Sequence, residues 1–400
     1  MWHHGEAMAE RREVSSALRR MGRAAATVSD MQLLRAATLG AEQAAASWCA
    51  WVGEHAVDDA GDAAVWLLPA VSANVPADVL GAEADRLRGV RRRGWASAGT
   101  RLEAASGAIA AITTAGVVPI VTGAAALSSM LPIAAGLRPL GTIDLAVGDL
   151  DDKRFEVVLS SLGAAGWKRR RAVDSPFDHV VDLVDSDGHS IRLLRWVLFP
   201  WFVDEPEQQW IERAVPDHLN RQPVRRLRWS DELVLTVLDG LLSPGDRTAA
   251  SQVASVRWPF DVVQLARHAA GLDGRSAAEF WEQVVELANA IGAGPVLSDA
   301  LEMCRVELDA PVPPAVVTEL AAGRLDRHLA QRWALRRRGF VPEWRVRRYR
   351  RLCWADGRRP TPWGYARARY DALAARGVHA ALGQRVDRAK QRVAAKRSGR

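Results

Sequence analysis

Cysteine, lysine, tyrosine and phenylalanine are all scarce in this 400-residue chain, which has 3 Cys, 3 Tyr, 7 Phe and only the lysines Lys153, Lys168, Lys390 and Lys396. The cysteines Cys49, Cys304 and Cys353 lie far apart, which leaves no zinc spacing and no disulfide framework and makes a reducing, cytoplasmic compartment the expectation. Lysine's near absence beside abundant arginine reads as the codon usage of a GC-rich genome, so basic patches need a second argument before they mean anything. The aromatic content sits in 16 Trp instead. Amphipathic helices and strands use Trp as core filler whose N–H finds a partner, and that is the reading for all of them except Trp196. The amino terminus, MWHHGEAMAERRE, lacks the basic, apolar and small-residue order of a signal peptide, and the His3-His4 pair is not read as ligating.

Charge is missing altogether from Ala104 to Leu137. That length would cross a bilayer. The stretch is nevertheless rich in Ala, Gly, Ser and Thr and is interrupted by Gly116, Pro119, Gly123, Pro132 and Gly136, the punctuation of helix, strand and helix inside a globular core. No membrane span is expected.

The pattern elsewhere divides the chain into four regions: a helical region over 1–115, a core over 116–200, a helical region over 201–323 and a basic helical region over 324–400. Apolar spacing predicts helices over Met31–His55, Leu80–Ala111, Glu232–Leu242, Pro259–Ala270, Ala277–Ile291 and Pro295–Val306. In the core, Phe177–Val184 and Ser190–Val197 flank the turn signal Ser186-Asp187-Gly188 and predict a hairpin. The fold class is α+β, a small mixed sheet flanked by extensive helical segments.

Chemistry concentrates between Val118 and Val147, where VPIVTGAAAL precedes LRPLGTIDLAV. An apolar strand ending at Gly123 lets the backbone approach a phosphate closely, and Asp144 on the next strand is placed to hold a cation. Further motifs follow in order: Ile191 to Trp196, Asp231-Glu232-Leu233, and Arg257-Trp258 with Asp261, after Leu67-Leu68-Pro69 upstream. On these residues the chain resembles the bacterial uncharacterised nucleotidyltransferase family of the polymerase-beta-like superfamily, over about Leu33 to Cys304. The resemblance implies transfer of a nucleoside monophosphate from a nucleoside triphosphate to an acceptor, with Mg²⁺. It assigns Asp144 as catalytic residue and metal ligand, and Gly123, Ala124, Arg138 and Thr142 as nucleotide-binding residues. Trp196 falls where the family has a Trp after its third strand.

The family pattern also has Lys before the Gly, two acids around one apolar residue, and an acidic-apolar-His-Trp run. Here those positions read Thr122, Thr142-Ile143-Asp144 and Leu193-Leu194-Arg195-Trp196. Two Mg²⁺ ions need several carboxylates on neighbouring strands, and period-2 alternation puts Thr142 where the partner of Asp144 belongs. Asp182, one strand away, is carried as a supplementary metal ligand beside Asp178, and the alternative for both is a solvent-facing strand position. Asp149, Asp151 and Asp152 read as caps of the following helix. A degenerate member that binds a nucleotide or a partner without turnover is therefore the alternative function.

From Arg324 to Arg400 the chain carries 23 Lys+Arg against 5 Asp+Glu, so the preceding 323 residues are net acidic within an overall charge of +7. Such asymmetry fits either nucleic acid as a lesser alternative partner or docking of the tail on the acidic remainder. The stretch to about Trp354 is expected to be packed helix.

Overall fold

The structure, a computed structural model, describes residues 15–22, 25–129, 131, 137–148, 150–170, 180–195, 197, 206–242 and 249–337. Six helices come first: α1 (Ser16–Met21), α2 (Val28–Thr38), α3 (Ala41–Val52), α4 (Asp62–Asn74), α5 (Ala77–Leu80) and α6 (Ala84–Thr114). The helix expected over Met31–His55 is two helices. Leu39 is extended (φ −74°, ψ 169°), and the Thr38 hydroxyl turns back to the Leu34 carbonyl, so α2 stops there and α3 restarts after Gly40.

The central part alternates strands and helices: β1 (Ile120–Thr122), α7 (Gly123–Ser129), β2 (Ile143–Ala146), α8 (Asp152–Ala164), β3 (Lys168–Arg169), β4 (Val180–Val184), β5 (Ser190–Leu194), α9 (Pro206–Arg213), β6 (Val215–Leu219) and β7 (Gln222–Arg226). Asp151 caps α8 by accepting from the Arg154 N–H at 2.8 Å, as its residue type requires. The seven strands form one mixed sheet in the order β3-β4-β5-β2-β1-β7-β6. Its last two strands lie in the 201–323 stretch that was expected to be helical. They turn through Asn220 and Arg221, both at positive φ (45° and 68°), the conformation that closes a two-residue hairpin, and β7 runs parallel to β1.

Six helices close the described chain: α10 (Trp229–Leu242), α11 (Ala249–Ala270), α12 (Gly274–Ala290), α13 (Gly294–Leu308), α14 (Pro314–Ala322) and α15 (Arg327–Arg337). Pro259, expected to open a helix, lies inside α11. Among the described residues no helix is long and apolar enough to cross a membrane. The tail beyond Arg337, Asp149, Asp178 and Trp196 lie outside the described residues.

Strand alternation gives the sheet two apolar faces and divides the core accordingly. Val121, Leu145, Leu193 and Val181 pack with Ile109 and Ile112 of α6 and with Val158 and Leu162 of α8. Ile120 and Ala146 on the other face join a larger core built from the helical segments, including Trp48, Trp51, Trp258 and Phe260. The sheet is thus held between α6 and α8 on one side and the helical body on the other. Position along each strand then decides which side a residue serves.

Candidate phosphate pocket

Register places four polar side chains in one row across four strands. Thr122 pairs with Asp144, Asp144 with Arg192, and Arg192 with Asp182, and directly opposed residues share a face. This row lies on the side away from α6 and α8. Between it and helices α10 and α11 is a cavity of about 100 Å³, lined among others by Gly123, Ala124, Arg138, Asp144, Arg192, Glu232, Asp239, Arg257 and Asp261. Of the residues expected to form a site, Gly123, Ala124, Arg138 and Asp144 therefore meet at one cavity. Thr142 and Asp182 are not among its described lining. Thr142 places its hydroxyl 3.2 Å from that of Ser190, and Asp182 is half-buried beyond Arg192.

Every carboxylate that lines the cavity already faces a partner. Arg192 donates from Nε and Nη2 to the two oxygens of Asp144 at 2.6 and 2.5 Å, a forked pair that uses both. The Asp144 carboxylate in turn pushes the Arg192 guanidinium further above its ordinary value, against the effect of burial. Arg138 makes an equally forked pair with Asp261 of α11, at 2.7 and 2.7 Å, where both side chains are almost wholly buried. Its guanidinium also lies 5.5 Å from the centre of the Trp66 ring. Asp239 and Arg257 approach to 3.9 Å. Burial lowers the Arg257 guanidinium from its ordinary value, with Arg138 and Arg192 adding like-charge repulsion.

Glu232 is the fourth acid and has no cation of its own. Its Oε1 accepts the Gly123 N–H at 2.7 Å, while Oε2 is buried without a hydrogen-bond partner. Burial pushes its carboxyl up to about 8, opposed by the Gly123 hydrogen bond and reinforced by Asp261. Gly123 itself has φ +60°, a conformation that side chains rarely adopt, and a Cβ there would lie 3.5 Å from Asp144.

The strand pairing revises the location of the third acid. Leu193, read from the motif as its replacement, pairs with Leu145 and Val181 and faces the α6–α8 core at 0% exposure. Arg195, at the position of the family's His, lays its guanidinium 4.4 Å from the Phe155 ring centre, on that same side. The strand position that does share the Asp144 face is Arg192. A guanidinium thus stands where a two-metal centre would need a carboxylate.

This donor set does not fit two Mg²⁺ ions. Asp144 has no oxygen free of Arg192, Thr142 brings no charge, and Asp182 is separated from Asp144 by the guanidinium itself. A different trio, Asp185, Asp187 and His189, brings ligand-type atoms within 4.8 Å of one another. It is the β4–β5 turn: the Asp185 carboxylate accepts from the Asp187 and His189 N–H groups at 3.0 and 2.8 Å and faces His189 Nδ1 at 2.9 Å. Those contacts account for its geometry. Partial burial pushes the Asp185 carboxyl up, but the hydrogen bonds from His189 and Asp187, with the His189 charge, together outweigh it and the net direction is downward.

Glu232, Arg192, Arg257 and Asp261 belong to the motifs that carry the family resemblance but were assigned no place in the site, and Asp239 was not singled out; all five line the cavity and carry much of its electrostatics. Helical spacing holds a trace of it, since Glu232, Leu235, Thr236 and Asp239 fall on one face of α10 and all line the cavity.

The profile of a family described as "Uncharacterised nucleotidyltransferase" matches residues 76–309, more than half of the chain. Residues 33–75, expected inside the resemblance, fall outside this match. No curated protein matches the chain.

Proposed function

The chain belongs to the uncharacterised nucleotidyltransferase family, and we propose that it uses the family's pocket to hold a nucleotide or closely related phosphorylated ligand without two-metal nucleotidyl transfer. The observation that carries this reading is Arg192, forked onto Asp144 in the row where metal-bridging carboxylates would be required. Binding still has what it needs. Gly123 brings a backbone N–H that Glu232 holds and a ligand can take over, Arg138 has a buried Nη1 without a hydrogen-bond partner, and Arg257 is the least closely paired guanidinium of the three. Phosphate oxygens satisfy such donors, and guanidinium groups do so at any physiological pH. Mg²⁺ in this scheme arrives on the nucleotide's phosphates and takes no ligand from Asp144.

Calorimetric titration of ATP and ADP in EDTA and in excess Mg²⁺, together with a pyrophosphate-release assay, tests the proposal. Binding in EDTA within about tenfold of that in Mg²⁺, with pyrophosphate at background, is the expected result. Pyrophosphate release above background that disappears in Asp144→Ala would overturn it.

A further inference from the structure

Three cavity-lining residues have a buried polar atom without a partner among the described residues: Glu232 Oε2, Arg138 Nη1 and Trp258 Nε1; Glu232 and Arg138, the two charged-type side chains, are 1% and 4% exposed. An unsatisfied buried donor or acceptor is costly, so each needs a reason to persist. They line the same cavity as the Gly123 turn. The Gly123 N–H, meanwhile, is occupied by an oxygen of the Glu232 carboxyl at 2.7 Å, which takes the hydrogen-bond role a phosphate oxygen would fill.

We infer that the Glu232 carboxyl is an internal stand-in for a phosphate group, holding the Gly123 amide until a phosphorylated ligand displaces it. This rests on the phosphate-pocket reading above and adds a regulator to it. Displacement would hand the Gly123 N–H to the incoming phosphate and give Arg138 Nη1 an acceptor. The orphaned Arg138 Nη1 then gains a role.

The charges that face Glu232 decide when displacement is easy. From the segment before β2 comes Arg138, from β2 Asp144, from β5 Arg192, from α11 Arg257 and Asp261, and from its own helix Asp239. The three arginines and three aspartates cancel in sign, which leaves Glu232 to set the net charge of the cavity. Neutral Glu232 gives a cavity of no net charge, which admits a phosphate. Ionised, it binds the Gly123 N–H more strongly and repels a second anion at short range. Burial holds the carboxyl up at about 8, so affinity falls as pH rises through that value.

Two probes separate this inference from the nucleotide reading: ADP, whose phosphates are fully ionised above about pH 7, and sulfate, a dianion throughout. Each is titrated by calorimetry into the full chain at pH 7.0 and 9.5, as wild type, Glu232→Gln and Glu232→Ala, with circular dichroism confirming the fold. Wild-type affinity for ADP is expected to fall at least tenfold at the higher pH. Glu232→Gln, which keeps an acceptor for Gly123 and cannot ionise, should lose that pH dependence, and Glu232→Ala should bind at least tenfold tighter than wild type at pH 9.5. Sulfate that follows this pattern while ADP fails to bind supports the Glu232 role and removes the nucleotide. ADP binding that is equal in all three proteins at both pH values overturns the Glu232 role and leaves the nucleotide reading standing. Failure of both probes in every variant overturns both.

Discussion

Breaking the Arg138–Asp261 pair on one side should be far more damaging than removing both partners. The pair is forked, with two 2.7 Å hydrogen bonds, and its side chains are only 2% and 3% exposed. It ties the segment that leads into β2 to helix α11, so it links the sheet to the helical body. Asp261→Ala leaves a buried guanidinium whose Nη1 is already without a partner. Leaving one member of a buried pair uncompensated costs about 3–5 kcal/mol. Arg138→Met leaves Asp261 in the same position, and also forfeits the contact with the Trp66 ring, worth about 0.5–2 kcal/mol. Taken separately the two changes would predict a double variant destabilised by about 6–10 kcal/mol. The paired replacement Arg138→Met with Asp261→Leu removes both charges together and should instead lie within about 2 kcal/mol of wild type. Urea denaturation followed by tryptophan fluorescence, with the slope checked for constancy, measures all three. Additive single-variant losses, or losses under about 1 kcal/mol each, would refute the argument that this pair is structurally closed.

Glu232 makes a pH-dependent contribution of calculable sign. Its folded value, about 8, lies above its ordinary 4.5, so the stability it confers is full below about pH 4.5 and is lost progressively as pH rises through about 8. Asp231, pushed up by burial to about 6, acts in the same direction over a lower range. Glu232→Gln should therefore unfold at higher temperature than wild type at pH 9 and show little difference at pH 5; equal melting temperatures at pH 9 would contradict the sign. Leu193→Asp, which the sequence motif alone recommends as a repair of the metal site, should instead destabilise the protein by about 3 kcal/mol or more, because it places a carboxylate in the α6–α8 core. Thermal melting and a Mn²⁺ titration of that variant check both halves of the statement.

Much of the sheet was legible because its strands carry their own punctuation. Ser186-Asp187-Gly188 announced the β4–β5 hairpin, and the glycine turn at Gly123 marked the end of β1. The β6–β7 hairpin escaped because Asn220-Arg221 lacks the Gly that usually signals two positive φ values, and because Pro216, Asp217 and His218 leave little apolar alternation. The site was half legible for a related reason. Gly123, Arg138 and Asp144 lie close in sequence and carry recognisable turn and strand patterns, and they do line one cavity. Arg192 could not be assigned its face, since a shift of one residue along β5 exchanges it with Leu193, and register is fixed only by pairing with β2 and β4. Asp261 and Glu232 reach the cavity from helices 123 and 109 residues away from their partners Arg138 and Gly123, a juxtaposition that local pattern does not encode.

Electron paramagnetic resonance of Mn²⁺ tests the central claim most directly, because it detects a metal site without requiring knowledge of an acceptor. Wild-type protein should leave the free Mn²⁺ signal unchanged both alone and, beyond the ion held by nucleotide itself, with ATP. Arg192→Asp, which puts a carboxylate beside Asp144 on the same face, should bind Mn²⁺ at least tenfold more tightly than wild type. Stoichiometric Mn²⁺ binding by the wild-type chain that is abolished by Asp144→Ala would contradict the account.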